Sequence, residues 1–481
     1  MNFWQVPAHH AAIGPDAIAV RFEGSAQTFA QLAERTSRVA ALLWHEWGVR
    51  AGDRVAWLGL NHPDQLVLLF ALARIGAMQL PLNSRLAPAE WDVQLRDCRP
   101  LHLVHGPGWA LQARGLSVRC GVAVHATDML DEELARQAPE AGQPDSPALL
   151  IYTSGTSGAP RAAVHTQANL LANMRIAAQV QQLTARDSVL TVLPLFHVGG
   201  LCIQTLPALY AGAGVTLHPR FNADATLAAL AQERMTLTLQ VPATMQALVD
   251  HPQWRQADLS CLRAVWAGSS VLPAGLVRAF LDRGVPLCNV YGATETGPFS
   301  IALPPSAAHT HAGSCGWPAP GVEAMLAGVQ QGTGELLVRG PNVVARYWPD
   351  QPACDGEGWF HTGDLATRAG DGSYTVVGRA RDLIISGGEN IHPLEIEAAV
   401  AQHPAVAECA AFGLPDSQWG EVVAVAVVLH AGATLSQEAL RLHLAGTLAR
   451  FKLPRRVVVV GSLPRTALGK LQRRALKGLA D

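Results

Sequence analysis

Residues Ile151 to His165 read IYTSGTSGAPRAAVH, a run of hydroxyls and glycines that directly follows an apolar stretch. Glycines let backbone N–H groups approach a polyanion closely, so this composition is typical of a loop that binds phosphate. It is not a P-loop, which needs four residues between its glycines and then Lys-Ser/Thr. Gly155 and Gly158 are too close together for that motif, and Arg161 comes after Pro160. Two interpretations stay open here: a phosphate loop of another kind, or a Ser/Gly-rich turn between strand and helix.

Strand patterns alternate with helix patterns on both sides of this segment. Helices are indicated by apolar residues at helical spacing, and strands by short buried runs between turn residues. The strand patterns are DRVAWLGL, MQLPLN, PALLIYT, DSVLTVLP, GVTLH, TLTLQVP, CLRAVWAG and PLCNVYGAT, and the helix patterns are FAQLAERTSRVAALLWHEWGV (ending at Gly48), PDQLVLLFALARIGA, ANLLANMRIAAQV and ADATLAALAQERM. Such alternation predicts βαβ units and parallel sheet.

The pattern changes around residue 313. GELLVRGPNVVARYW and GWFHTGDLATRAGDGSYTVVGR are short-stranded and rich in glycine, which predicts antiparallel or barrel-like structure. After RDLIISGGENIHP, a compact pattern of helices and strands returns with LEIEAAVAQH, VAECAAFGLP, EVVAVAVVL and SQEALRLHLAGTL. We therefore predict an α/β fold in which a large N-terminal domain, 1–379, has parallel αβ subdomains plus a small β-barrel-like part, followed by a smaller α+β C-terminal domain, 380–481.

Composition limits the class of protein. The 481 residues exceed what one hydrophobic core supports, and 49% of them are hydrophobic against 15% charged. The net charge of −2 indicates no nucleic-acid or anionic-membrane partner. The eight cysteines form no CxxC pair, which predicts reduced thiols in a cytosolic protein. The sequence shows no N-terminal leader with a basic start and an apolar core. It also shows no uninterrupted run of ~18 apolar residues, the length needed to span a membrane.

Three further motifs carry candidate chemistry. YGATETG, from Tyr291 to Gly297, follows a buried strand; its aromatic ring could stack on a base, and Glu295 beside Thr294 suits Mg²⁺. Asp364 in WFHTGDL could accept hydrogen bonds from a ribose diol, and Arg379 in GRARD could hold the same sugar or a phosphate. Each motif also has an ordinary structural interpretation, because Asp and Thr beside glycine often form turns.

Two single residues are ambiguous in the same way. His197 lies between apolar neighbours in LPLFHVGGL, where a histidine is often a core residue with satisfied hydrogen bonds. Lys470 lies in the polar segment LPRTALGKLQRR, where a solvated lysine is ordinary.

Taken in this order, the motifs resemble the adenylate-forming superfamily of acyl- and aryl-CoA synthetases, firefly luciferase and the adenylation domains of peptide synthetases. The resemblance covers essentially the whole chain, from FAQLAERTSRVAALL to PRTALGKLQRR. It implies ATP, Mg²⁺ and CoA as cofactors and co-substrates. It also implies that the substrate's own carboxylate attacks the α-phosphate of ATP, so the protein supplies positioning and charge stabilisation rather than a nucleophile.

The resemblance implies a role for each matching residue. The nucleotide site is expected to comprise the phosphate loop Thr153, Ser154, Gly155, Thr156, Ser157 and Gly158, the adenine slot Gly268, Ser269, Ser270, Asn289, Val290, Tyr291 and Gly292, and the ribose pair Asp364 and Arg379. Catalytic roles fall to Lys470, His197, Thr294, Glu295 (also the metal ligand) and Arg161. Arg161 stands where the family usually has Lys before Gly, which retains the charge but changes its geometry.

DLIISGGENIHPLEIE and GLPDSQWGE resemble the CoA ligases in particular, including 4-chlorobenzoate, o-succinylbenzoate and fatty-acyl ligases. In that branch the C-terminal domain is mobile and turns about a hinge, where Arg381 replaces the usual Asp or Lys. The implied CoA site comprises Ser386, Gly387, Gly388, Glu389, Trp419, Phe451, Lys452 and Arg455. The implied acyl pocket comprises Met174, His197, Val198, Gly199, Trp266, Ala267, Val290, Gly297 and Pro298.

The apolar pocket predicts an aryl or medium-chain apolar acid, activated as acyl-AMP with release of pyrophosphate and then transferred to CoA. Two alternatives stay open: an o-succinylbenzoate–CoA ligase, because LPLFHVGGL and GPNVVARYW resemble that branch, and a catalytically weak nucleotide-binding regulatory homologue. The expected partners are the acid, ATP and CoA, without nucleic acid or integral membrane association. The expected location is the cytoplasm, and a homodimer is left open.

Overall fold

The computed structural model of the chain describes residues 1–132, 136–153, 160–268, 272–386, 389–416, 419–445, 447–466 and 471–479. The chain divides into two compact units. The first comprises Met1–Ala324 and Leu337–His361, and the second comprises Met325–Leu336 and Thr362–Asp481. The sequence predicts a boundary at residue 379 between a large domain and a smaller mobile domain. That boundary concerns the segments that move together during the reaction, and it stays a prediction.

The strands occur throughout the chain. In chain order they are β1 (Ile18–Phe22), β2 (Ser25–Thr28), β3 (Arg54–Leu58), β4 (Met78–Leu82), β5 (His102–His105), β6 (Ala123–Ala126), β7 (Pro147–Thr153), β8 (Arg161–Thr166), β9 (Ser188–Thr191), β10 (Gly214–Leu217), β11 (Leu237–Gln240), β12 (Ala264–Ala267) and β13 (Leu287–Tyr291). They continue as β14 (Ile301–Ala302), β15 (Trp317–Pro318), β16 (Glu323–Gln330), β17 (Thr333–Arg339), β18 (Arg346–Tyr347), β19 (Gln351–Pro352), β20 (Phe360–Arg368), β21 (Tyr374–Arg379), β22 (Ile384–Ser386), β23 (Glu389–Ile391), β24 (Val406–Asp416), β25 (Gly420–Leu429) and β26 (Arg456–Val459).

Each predicted helical pattern forms a helix. The helices of the described ranges are α1 (Val6–Ile13), α2 (Phe29–His45), α3 (Pro63–Arg74), α4 (Pro88–Cys98), α5 (Ala110–Cys120), α6 (Gln167–Gln181), α7 (Val198–Gly200), α8 (Leu206–Tyr210), α9 (Ala223–Gln232), α10 (Pro242–Val249), α11 (Ala274–Leu281), α12 (Pro393–Val400), α13 (Gln437–Leu444) and α14 (Arg473–Leu476). The predicted ones are α2, α3, α6, α9, α12 and α13, and the others were not predicted. None of the helices in the described ranges is long and apolar enough to cross a membrane.

Two largely parallel sheets form the centre of the first unit. One has the order β15-β14-β13-β12-β11-β9-β10-β1-β2, and the other has the order β19-β18-β8-β7-β4-β3-β5-β6. The neighbours from β13 to β1 in the first sheet, and from β7 to β6 in the second, pair in parallel. The predicted parallel αβ architecture is therefore confirmed. This architecture places the carboxyl ends of β12 and β13 at the same edge of the first sheet. Sequence motifs directly follow both of these strands.

Local sequence explains the starts of these elements. Thr28 begins α2 as a cap whose hydroxyl accepts a hydrogen bond from the backbone N–H of Gln31 at 3.2 Å. The helix ends at His45, ahead of Gly48, which adopts a positive φ of 68°. The predicted stop at Gly48 therefore marks the turn after the helix rather than its last residue.

The sequence patterns missed several strands, among them β1, β2, β5, β6 and β8, and β8 is the one beside the predicted phosphate loop. The sequence pattern suggested that the glycine-rich segment leads straight into a helix, but β8 intervenes and pairs antiparallel with β7, with Thr153 opposite Arg161. Its sequence RAAVHT has only one large apolar side chain, so nothing in its composition marks a strand. The pairing with β7, rather than intrinsic propensity, determines its conformation.

The C-terminal sequence forms two further sheets. A four-stranded sheet has the order β16-β17-β20-β21, where the glycine-rich pattern predicted short strands. A five-stranded sheet has the order β23-β22-β25-β24, with β26 beside β25. Its long antiparallel pair β24–β25 packs apolar residues against α12 and α13, which gives the second unit its own core.

Candidate functional site

The phosphate-loop motif connects β7 with β8, so its two ends lie side by side. Thr153 pairs with Arg161 across this hairpin. The Thr153 hydroxyl lies 3.5 Å from Oε1 of Glu295, at the outer limit of a hydrogen bond. The structure therefore brings the start of the predicted phosphate loop to the predicted metal ligand. Ser154, Gly155, Thr156, Ser157 and Gly158 lie outside the described residues.

The YGATETG motif follows β13 as a tight turn. A side chain at Gly292 would lie 1.6 Å from the carbonyl oxygen of Pro298, so only glycine fits there. Thr294 and Glu295 start a short 3-10 turn, and Glu295 is only 9% exposed. Its backbone oxygen accepts a hydrogen bond from Val344 at 2.8 Å. The carboxylate is thus held at a defined place on the first unit.

Tyr347, which the sequence reasoning did not single out, lies against the same carboxylate. Its hydroxyl donates to Oε1 of Glu295 at 2.9 Å, and the guanidinium of Arg161 lies 4.4 Å from the centre of its ring. Burial, and secondarily the charge of Glu295, raise the pKa of Tyr347 far above its usual range, so it remains a donor at neutral pH. No sequence pattern could have indicated this contact, because the two residues are far apart in the chain.

The predicted adenine residues meet at the ends of two neighbouring strands. Ala267 on β12 pairs with Asn289 on β13, which brings Gly268 beside Val290. The side-chain amide of Asn289 is buried and donates to the carbonyl of Ser314 at 3.2 Å. Tyr291 ends β13 and is partly exposed. Ser269 and Ser270 lie outside the described residues.

His197 caps a short helix after β9. Its Nδ1 accepts a hydrogen bond from the backbone N–H of Gly199 at 3.0 Å, and Val198 and Gly199 form the first turn of that helix. A side chain at Gly200 would lie 2.4 Å from the carbonyl oxygen of Pro194, so the loop folds closely over the helix start. The turn that follows, Leu201–Thr205, is π-helical, a local feature that occurs often at functional sites.

Asn61 fixes the His197 loop from another sheet, and sequence reasoning missed it. Its buried amide donates to the carbonyls of Leu193 and His218, both at 3.0 Å, and its oxygen accepts from the N–H of Leu195 at 2.8 Å. Gln65 adds a hydrogen bond to the carbonyl of Leu195 at 3.2 Å.

The predicted acyl-pocket residues lie on elements that pack together. Met174 on α6 and Trp266 on β12 are fully buried, and the rings of Trp266 and Phe299 lie 5.6 Å apart. Asn173 connects these elements by donating to the carbonyl of Cys202 at 2.7 Å and accepting from the N–H of Phe299 at 3.1 Å. Of the other predicted members, Ala267 also lies on β12, Val290 lies on β13, Val198 and Gly199 lie on α7, and Gly297 and Pro298 follow the 3-10 turn Thr294–Thr296.

The predicted ribose residues meet in the second unit. Asp364 on β20 pairs with Arg379 on β21, and the guanidinium lies 2.9 Å from the carboxylate. The Asp364 side chain is 11% exposed whereas that of Arg379 is 44% exposed. The carboxylate of Asp364 and the guanidinium of Arg379 are therefore paired with each other within the protein itself.

The predicted CoA residues include two cation–π pairs in the second unit. Arg455 lies over the ring of Trp419 at 5.4 Å, and Lys452 lies 5.6 Å from the ring centre of Phe451. Lys452 also binds both carboxylate oxygens of Glu395 at 2.6 and 2.7 Å, so its charge is partly neutralised. Ser386 and Glu389 lie on β22 and β23, whereas Gly387 and Gly388 lie outside the described residues.

The remaining predictions concern Arg381 and Lys470. Arg381 lies in the short 3-10 turn Ala380–Asp382, between β21 and β22, with its side chain 41% exposed. Lys470 lies outside the described residues. The described residues before and after 467–470 are joined by a hydrogen bond from the backbone N–H of Gln472 to the carbonyl of Pro464 at 2.9 Å.

The resemblance implies a magnesium ion, and the oxygen atoms at Glu295 fit it. Mg²⁺ prefers hard oxygen ligands, and nucleotide sites often bind it through one or two carboxylates plus phosphate oxygens. Glu295 offers one carboxylate, with the hydroxyl of Thr153 beside it. The described ranges contain no group of three or more His, Cys, Asp or Glu side chains able to hold a metal. Phosphates and water would therefore have to complete the coordination.

Comparison with known families decides the identity. The model of the AMP-binding enzyme family matches residues 7–348, and that of the AMP-binding enzyme C-terminal domain matches residues 395–470. The chain belongs to the AMP-binding enzyme family. The predicted resemblance is confirmed, and the AMP-binding fold of a large α/β domain and a smaller α+β domain is confirmed with it.

Several relatives are similar to this AMP-binding enzyme over nearly its whole length. Indoleacetate–CoA ligase of Aromatoleum aromaticum is 43% identical, covering 96% of this chain and 95% of its own. Feruloyl-CoA synthase of Amycolatopsis is 40% identical, covering 97% and 96%. The o-succinylbenzoate–CoA synthetase of Bacillus subtilis, solved with its acyl-adenylate OSB-AMP, is 30% identical with a TM-score of 0.89, covering 99% and 98%. The same synthetase has also been solved with ATP and magnesium.

These comparisons establish the reaction class. The protein is an AMP-forming acid–CoA ligase that uses ATP, Mg²⁺ and CoA. The roles of individual residues and the identity of the acid are proposals.

Proposed function

We propose that the acid is an aromatic monocarboxylic acid with a short side chain. The observation that supports this is the apolar character of the assigned pocket, where Met174 and Trp266 are fully buried and Trp266 packs against the buried ring of Phe299. Burying an aromatic ring of the substrate against them removes apolar surface from water at about 25 cal/mol per Å². His197 is the one titratable side chain among the assigned pocket residues, and none carries a fixed positive charge.

The relatives support the same class of acid. Indoleacetate and ferulate each join an aromatic ring to a carboxylate through a short chain, and their ligases are 43% and 40% identical to this protein. The alternative, o-succinylbenzoate, is named by relatives at about 30% identity. It carries a second carboxylate, whose burial without a cationic partner would be costly.

We assign the adenylation step to residues of both units. The substrate carboxylate attacks the α-phosphate of ATP, the bond to the β-phosphate breaks, and acyl-AMP and pyrophosphate form. Thr294 and Glu295 hold the α-phosphate and the cation that offsets its charge, and Asp364 with Arg379 holds the ribose. Lys470 provides positive charge where the two anions meet.

The second step transfers the acyl group. The CoA thiol attacks the acyl carbonyl, the mixed anhydride breaks, and AMP leaves. We assign entry of the thiol to the His197 loop, and contacts with CoA to Trp419, Phe451 and Arg455. Lys452 contributes less charge than its sequence position suggests, because Glu395 already binds it.

Exchange of pyrophosphate into ATP, measured across a panel of acids, tests the proposal. The panel contains indole-3-acetate, ferulate, benzoate, octanoate and 2-succinylbenzoate. We expect an aryl acid with a short side chain to give kcat/KM at least about tenfold above that of 2-succinylbenzoate or octanoate, or more than ~1.4 kcal/mol in barrier. Higher activity with 2-succinylbenzoate would replace the proposed acid with the alternative. Absence of exchange with every acid would indicate a regulatory homologue.

Lys470→Ala separates the two half-reactions. We expect it to abolish adenylate formation but to leave thioester formation from supplied acyl-AMP largely intact, because only the first step brings two anions together. Each half-reaction is measured by itself, as pyrophosphate exchange and as CoA consumption. Equal loss in both would contradict the assignment of Lys470.

A cytoplasmic location also stays a prediction, and a homodimeric assembly stays an open alternative. Light scattering of the purified protein tests the second, and a monomer at micromolar concentration would contradict it.

A further inference from the structure

The carboxylate of Glu295 is bound asymmetrically. Oε1 accepts a hydrogen bond from the hydroxyl of Tyr347 at 2.9 Å, and the hydroxyl of Thr153 lies 3.5 Å from the same oxygen. Within the described part of the chain, no group donates a hydrogen bond to Oε2. Among the described residues, one oxygen of the carboxylate is therefore bound by two hydroxyls, and the other accepts no hydrogen bond.

Tyr347 is itself rigidly placed. It pairs with Ala163 of β8, and its ring packs in a small buried cluster with Ala163 and Val344. The backbone N–H of Val344 donates to the carbonyl of Glu295 at 2.8 Å, so the same short segment binds both the backbone and the carboxylate of Glu295. The guanidinium of Arg161 lies over the Tyr347 ring and restrains the ring from that side. A rotation of the Glu295 carboxylate would break the contact with Tyr347.

We propose that Tyr347 is the positioning residue for the metal-binding carboxylate, because it holds Glu295 with Oε2 directed to the cation that accompanies ATP. This inference rests on the proposed role of Glu295. Groups that orient a metal ligand through its second atom typically change metal affinity by 10- to 100-fold when they are removed. The Tyr347 hydroxyl donates to Glu295, so we expect its removal to act through that carboxylate.

Tyr347→Phe is the direct test, because it removes the hydroxyl and retains the ring beneath Arg161. We expect the Mg²⁺ concentration for half-maximal pyrophosphate exchange to rise about tenfold or more. Calorimetric titration of Mg²⁺ into the protein with a non-hydrolysable ATP analogue gives a second readout, independent of turnover, and the same rise is expected there. Binding of the nucleotide without Mg²⁺ should stay within about twofold.

Tyr374→Phe is the matched control. Tyr374 is also a buried tyrosine with an arginine over its ring, since Arg368 lies 5.7 Å from the ring centre. It lies on β21 in the second unit, whereas Glu295, Tyr347 and Thr153 all belong to the first, so we expect the Mg²⁺ requirement not to change. Melting temperatures of both variants show whether either change merely destabilises the fold.

Glu295→Gln separates the inference from the proposed function. If Glu295→Gln raises the Mg²⁺ requirement while Tyr347→Phe leaves it unchanged, Glu295 binds the cation but Tyr347 does not position it. If neither change alters it, the assignment of Glu295 as metal ligand fails as well. A fall in maximal rate for Tyr347→Phe at an unchanged Mg²⁺ requirement would also overturn the positioning role.

Discussion

Arg161 occupies the position at which the family resemblance leads one to expect lysine, and its surroundings explain why arginine works there. The planar guanidinium stacks over the ring of Tyr347 at 4.4 Å, and its Nε is buried without a hydrogen-bond partner among the described residues. A planar, weakly hydrated cation tolerates such a place better than an ammonium group does. The side chain thus contributes packing on Tyr347 as well as charge.

We predict that Arg161→Lys keeps kcat/KM for ATP within about tenfold, or ~1.4 kcal/mol in barrier, because the charge remains while the stacking is lost. Pyrophosphate exchange at varied ATP measures this. Restoration of much higher activity would show that the natural arginine is a handicap rather than a working substitute.

The His197 loop is the element whose position depends on a side chain from elsewhere in the fold. Asn61 saturates its amide on three backbone groups of the segments around that loop, and replacing it leaves those buried groups unpaired. Each unpaired buried group costs about 1–3 kcal/mol. The loop can relieve that cost by shifting, and a shift would move His197, which we assign to the acyl pocket.

We predict that Asn61→Ala lowers kcat/KM for the preferred acid at least about tenfold, while KM for ATP changes little. We also expect the ratio of kcat/KM for that acid to kcat/KM for benzoate to fall. The ratio of kcat/KM for the two acids is the informative measurement. Asn222→Ala is the control, since it removes the cap of α9 and costs about 1 kcal/mol of stability. An equal loss for both acids in Asn61→Ala would indicate a purely structural role.

At the scale of the whole molecule, the two half-reactions place different demands on the C-terminal segment. Lys470 is assigned to adenylation and the segment from Ser386 to Glu389 to the CoA site, yet both follow the turn that contains Arg381 in the sequence. One small domain is too thick to present both to one acyl-phosphate, so we predict different orientations about Arg381 in the two steps. Such hinge motion is ordinary for enzymes.

We predict that Arg381→Pro spares pyrophosphate exchange but slows thioester formation by orders of magnitude, because proline fixes φ at the hinge. Rapid-quench measurement of each half-reaction tests this. The turn that contains Arg381 closes through the N–H of Leu383, which donates to the carbonyl of Ala380 at 3.4 Å. Equal rates in both half-reactions would contradict domain alternation in this protein.

The sequence by itself determined the local elements and the reaction class. PALLIYT was predicted as a strand and is β7, because a buried run of apolar residues specifies its conformation locally. The hydroxyl- and glycine-rich loop, YGATETG and WFHTGDL are contiguous motifs, so their chemistry can be read without coordinates. The tertiary structure alone decided which distant residues meet: Tyr347 on Glu295, and Asn61 on the His197 loop. These contacts join a side chain to a distant carboxylate or to distant backbone groups. Strand order and register determine which segments meet, and no local sequence pattern encodes strand order or register.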